Sequence, residues 1–191
     1  ANNYDLEDIN TDGGVLTATT TANQRAFDSA NTTGVQRVRH QITAADALQN
    51  ALNGVQQVTM EVVVTLDATT TNGTRIFGIN NRTGSNGTLM LRTNDGIAPF
   101  AMAFAWENTG VDLQADLTAS VRTVIHIVVD TTQALATNRM RTYYDGVDQG
   151  DPSSTGMMAQ NDTLTVPTSE DLIAFNRESS GAFARSFNGQ L

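Results

Sequence analysis

The sequence predicts an all-β protein: an antiparallel two-sheet β-sandwich with at most one short helix. Three observations lead there. Short segments rich in β-branched and aromatic residues recur along the chain, bounded by clusters of Gly, Asn, Ser and Asp. Only residues 44–54 favour a helix. No long helical pattern separates the strand-like segments, so their connections suit antiparallel rather than parallel pairing. With 191 residues the chain fits one domain, long enough to bury about 70% of its unfolded surface without covalent staples.

Residues 1–24, rich in Thr and Asn, read as an N-terminal arm or a first edge strand, and residues 25–191 as the sandwich. AADALQNALNG (44–54) is a short helix over the sandwich edge, ended by Gly54. VTMEVVVTL (58–66) is a strand on its β-branched content, and TTNGT (70–74) supplies a turn. Arg75–Ile79 forms a short strand, Asn80–Gly87 a polar loop, and Thr88–Arg92 the next strand. From Phe100 to Trp106, the large residues Phe100, Met102, Phe104 and Trp106 alternate with Ala101, Ala103 and Ala105. One face of that strand can line a core while the other lies close against a neighbour.

The stretch 122–150 carries most information. Thr123, Ile125, Ile127 and Val129 alternate with Val124, His126, Val128 and Asp130, and the β-branched content predicts a strand buried largely on both faces. Arg139, Arg141 and Tyr143 alternate with Met140, Thr142 and Tyr144, the period of a half-buried strand. Asp145-Gly146 is a turn pair, so a hairpin follows. With LIAFNRESSGAFARSFNGQL (172–191), this apolar strand, turn and Tyr-Asp-Gly-Val-Asp ending resembles the back half of a concanavalin A-like (laminin G-like) jelly roll. The front half resembles the same family through Ala26-Phe27-Asp28, VQRVRH and Met60-Glu61-Val62. It departs from the family where Val63 or Val64 replaces a Trp and where Arg122-Thr123 replaces Trp-His. The resemblance covers roughly residues 25–191 and implies a fold that mostly binds. Leu191 falls where the family's last strand would continue, so either the strand runs on beyond this sequence or a partner completes the sheet, and an unpaired edge there would invite strand addition.

Composition excludes several functions. The formal charge of −9 and the absence of a basic stripe argue against nucleic-acid binding. No apolar run is long enough to span a membrane. Cysteine is absent, which removes disulfides and thiolate chemistry. ANNYDLEDINTDGG has neither the basic nor the apolar part of a secretory signal. Ala1 could follow a removed initiator Met or be a cleavage product; in the first case a surface role would need another vehicle, such as a virus particle released by lysis.

No catalytic set is expected. Relatives of this fold that cleave β-glucans carry E-x-D-x-x-E on one strand, a spacing absent here, because retaining hydrolysis needs two carboxyl groups close together. Glu170-Asp171 are adjacent, would point to opposite faces of a strand, and read as solvated turn acids. The Gln-Ile-His motif of alginate-lyase relatives is missing, and His126 reads as a core or face residue. No G-x-S-x-G elbow is present.

Two kinds of binding site remain. Asp145, Asp148 and Asp151, in a Gly-containing loop, are candidate Ca²⁺ ligands, since hard oxygen donors suit that ion and the fold family binds it at its rim. The same aspartates would serve equally as turn caps. For a glycan, stacking on an aromatic face with hydrogen bonds around the ring points to Trp106, Tyr143, Tyr144, Asn80, Asn81 and Asn86. Trp106 is as good a core residue as a platform, and one of the two tyrosines must point inward. The function expected is a non-enzymatic structural or binding module of a multicopy assembly on a virion or extracellular surface. A phage decoration or fibre protein is the first case. A free lectin-like domain binding cell-surface polysaccharide is the alternative, and a lyase or hydrolase comes third.

Overall fold

The computed structural model describes residues 7–10, 16–21, 24–29, 36–44, 46–68, 73–80, 87–93, 100–107, 109–113, 116–150, 152, 158–168, 171–174, 177–179, 182–184 and 189–191. In chain order the first strands are β1 (Glu7–Asn10), β2 (Leu16–Thr21), β3 (Gln24–Ser29) and β4 (Gln36–Gln41). Helix α1 (Ala47–Leu52) follows, then β5 (Gln57–Leu66), β6 (Arg75–Asn80), β7 (Leu89–Thr93), β8 (Met102–Trp106) and β9 (Thr109–Asp112). Next come β10 (Arg122–Asp130), β11 (Met140–Tyr144), β12 (Val147–Asp148) and β13 (Asp171–Ala174). The last are β14 (Arg177–Ser179), β15 (Ala182–Ala184) and β16 (Gly189–Gln190).

The described strands form the antiparallel β-sandwich that the sequence predicts. Sheet A runs β1-β4-β13-β6-β7-β8-β9, and sheet B runs β12-β11-β10-β5-β16-β3-β2. β14 and β15 make a separate two-stranded ribbon. Residues 1–24 thus supply one edge strand to each sheet. The core is built where inward positions of the two sheets meet. Ile76, Ile79, Leu91, Phe104 and Trp106 come from sheet A, and Val62, Val64, Ile125, Ile127 and Met140 from sheet B.

The single α-helix among the described residues lies where expected. Asp46 caps it, its Oδ1 accepting from the backbone N–H of Leu48 at 2.8 Å. Leu48 and Leu52 pack against the core, and Gly54 follows with a positive φ of 81°. The N–H of Gly54 donates to the carbonyl of Leu164. This ties the helix to the 158–168 segment that closes the same end of the sandwich.

Three expectations are corrected. β10 alternates exposed or half-buried with buried positions along its length, so only one of its faces is core. Its outward residues include Val124 and Val128, which is why the sequence looked apolar in both phases. Asp171 is not a solvated turn acid. It sits in β13 between β4 and β6, in register with Gln41 and Asn80, and is buried. β16 is not an open edge, because Gly189 and Gln190 pair with β5 on one side and β3 on the other. The edge strands of the described sheets are β1, β9, β12 and β2.

Candidate functional site

The outer face of sheet B gathers the chemically versatile side chains. β5, β10 and β11 each bury alternate residues, and the register joins the remaining ones into rows across the strands. In one row Asp148 of β12 faces Tyr143 of β11, Tyr143 faces His126 of β10, and His126 faces Glu61 of β5. His126 Nε2 lies 2.6 Å from Glu61 Oε2, with the two side chains 33% and 62% exposed. The next row places Arg141 beside Val128 and Thr59. Arg141 reaches diagonally to Asp148, 4.0 Å away, and donates from Nη2 to Asn138 Oδ1 at 3.2 Å. The result is a row that sets a half-buried tyrosine ring between polar side chains of the neighbouring strands.

The β11–β12 hairpin holds the ring in place. Asp145 and Gly146 have φ of 49° and 81°, the paired positive values of a type I′ turn. Asp145 Oδ1 accepts from the N–H of Val124 at 2.9 Å, while its own N–H donates to the Val124 carbonyl. Asp148 Oδ1 accepts from the N–H of Gly150 at 2.8 Å. Asp148 thus caps its own turn, while Asp145 ties its turn to the neighbouring strand β10. Asp151 lies outside the described residues. Among the described residues no group of three His, Asp or Glu side chains is placed to share a metal ion.

The glycan candidates separate by face. Tyr143 points outward and is half-buried. Tyr144 points inward, and burial, with the negative charge of Asp116 adding to it, raises its phenol above the ordinary range. Trp106 is not a platform, since it is fully buried in the core with its Nε1 donating to Asp162 Oδ2 at 3.1 Å. A buried indole needs a partner for its N–H, and Asp162 provides one. Asn80 ends β6 opposite Asp171, and Asn81 and Asn86 lie outside the described residues. The sequence reading did not single out Glu61 or Arg141 as site residues. The signal for Glu61 was available: a lone carboxylate in an otherwise apolar strand must face outward.

A second polar cluster closes the rim. Glu107 follows Trp106 with φ 49° and accepts at Oε1 from the N–H of Thr165. Burial raises its carboxyl above the usual value, the Thr165 hydrogen bond works against that, and the nearby Asp162 carboxylate adds to it. Asp162 takes the Trp106 indole, and its carbonyl accepts from Thr131 Oγ1 at 2.6 Å. These carboxylates come from different segments and are engaged by protein donors, so they fasten the 158–168 segment to sheet A.

No family model matches the chain, and no curated protein matches it. Solved structures do share its fold. Domain 4 of an extracellular GH43 arabinanase from Geobacillus stearothermophilus, in complex with arabinotriose, aligns with TM-score 0.55 and 10% identity over 93% of this chain and 74% of that one. A native heptameric SAP-like pentraxin from Limulus polyphemus gives 0.53 and 11% over 81% of this chain. Tailspike protein 2 of an Escherichia coli bacteriophage gives 0.53 and 12% over 96% of it. The chain spans 65% of the pentraxin's length and 24% of the tailspike's. At such identities the likeness shows the fold, a jelly-roll sandwich consistent with the concanavalin A-like resemblance of the sequence.

Proposed function

We propose that the chain is a non-enzymatic, carbohydrate-binding sandwich module carried in many copies on a virion surface, with the outer face of sheet B around Tyr143 as its contact surface. The row Asp148–Tyr143–His126–Glu61 carries this reading. An accessible aromatic ring flanked by carboxylates and an imidazole offers what a sugar needs, a stacking surface with hydrogen-bond partners around its edge. The face is built on strands rather than loops, so the groups are already positioned and little entropy is lost on binding. The tailspike supports the setting, since a bacteriophage protein contains a sandwich aligned with almost the whole of this chain.

The arabinanase domain favours a second reading, a carbohydrate-binding domain of a secreted protein, because its structure holds arabinotriose. Binding of the purified chain to a panel of bacterial and plant glycans, with its solution mass measured in parallel, tests both. Saturable binding together with a multimeric mass or attachment to a particle supports the virion module. Saturable binding by a monomer that attaches to no particle favours the second reading. Absence of binding across the panel contradicts both.

A further inference from the structure

Resting on the carbohydrate reading above, we infer that the ligand is an extended, uncharged oligosaccharide of about three units lying across the strands of sheet B rather than along them. The direction follows from the register. Asp148, Tyr143, His126 and Glu61 are directly opposite one another on four successive strands, so the line through them is perpendicular to the chain direction. Neighbouring strands stand about 4.8 Å apart, and three such steps give a track of about 14 Å, roughly the span of a trisaccharide. Along single strands the same-face neighbours are mixed, with Arg141 beside Tyr143 on β11 and Thr59 beside Glu61 on β5. Val124 and Val128 flank His126 on β10, and Val63 neighbours Glu61 on β5. The transverse row is therefore an unbroken line of carboxylate, aromatic and imidazole side chains, whereas the valines of β10 and β5 interrupt a line drawn along those strands.

The described row runs from Asp148 on the edge strand β12 to Glu61 on β5. The charge of the ligand follows from the side chains. Asp148 and Glu61 terminate the track with carboxylates, and the whole chain carries −9. The flanking Arg141 lies near Asp148, and His126 is engaged with Glu61. A uronate or sialylated chain would meet two carboxylates, with the nearby Arg141 already opposed by Asp148. A neutral chain would find acceptors for its hydroxyls at both ends and a ring to stack on between them.

The test is calorimetric titration with arabino-, xylo-, cello- and malto-oligosaccharides of one to five units, together with an oligogalacturonate series, and amide shift mapping of the bound state. The expected result is affinity rising at least tenfold from one unit to three in at least one neutral series and levelling after three. Shifts should be concentrated at Tyr143, His126 and Glu61. Glu61→Gln, an exposed and conservative change, should weaken the three-unit ligand severalfold while barely affecting the single sugar. Affinity independent of length, preference for the oligogalacturonates, or shifts outside this row would overturn the inference while leaving a carbohydrate-binding module in place. No binding by any neutral or acidic series would overturn both.

Discussion

The outer faces of the two sheets have the same strand alternation and opposite fates. In sheet B the outward residues of β5, β10 and β11 are half-buried or exposed, and the polar ones among them pair across strands. In sheet A the outward residues of the central strands are buried as fully as the inward ones. Met90, Ala105 and Ile173 form a separate apolar cluster there, and Ala103 and the register partners Arg75 and Arg92 are buried too. Small side chains explain how that face can be so close-packed. Gly78, opposite Met90 and Ile173, has φ 152° and no room for a Cβ, which would lie 2.0 Å from the Leu89 carbonyl oxygen. One sheet therefore keeps an open outer face, and the other spends its second face on packing.

Substitutions should separate the two faces sharply. The largest loss is expected from Trp106→Ala, which empties a core site and strips Asp162 of its indole partner. Unfolding in denaturant should show a loss of about 3–5 kcal/mol. Ala105→Leu on the outer face of sheet A should cost about 1–3 kcal/mol through overpacking. Val128→Thr, its counterpart on the open face of sheet B, should stay within about 0.5 kcal/mol. Equal costs for those last two would contradict the contrast.

The smallest expected effects are in the pH dependence, where one carboxylate beside each face acts with opposite sign. Asp130, at the end of β10, is lowered from 3.8 to about 2, chiefly by hydrogen bonds from Thr132 and Gln133. Its contribution is fully present above the unfolded value and is lost as pH falls from about 4 towards 2. Glu107, at the rim of sheet A, is raised above 4.5 by burial. It favours folding below its unfolded value, and that advantage disappears as pH rises through the higher folded one. Stability profiles of Asp130→Asn and Glu107→Gln should therefore flatten on opposite sides of the ordinary carboxylate range.

Local chemistry was legible in the sequence, and long-range pairing was not. Asp145-Gly146 marked its hairpin because a type I′ turn needs positive φ at both central positions. Large and small residues alternating through β8 identified both the core face and the face pressed against a neighbour. β10 was harder, since Val124 and Val128 are β-branched on the open side and mask the alternation. The contact of His126 with Glu61 joins residues 65 apart in sequence. It exists only once β5 and β10 lie side by side in one register, which no short motif encodes. Trp106 could be core or platform until the phase of β8 against the rest of sheet A was known.

The central claim, that the open face around Tyr143 binds sugar while Trp106 serves the core, is tested most directly by one comparison. Glycan-panel binding should be measured for the native chain, Tyr143→Ala and Trp106→Phe, each first shown to be folded by circular dichroism. Binding lost in Tyr143→Ala and kept in Trp106→Phe, despite its lower stability, is the predicted result. Binding that survives Tyr143→Ala unchanged would contradict it.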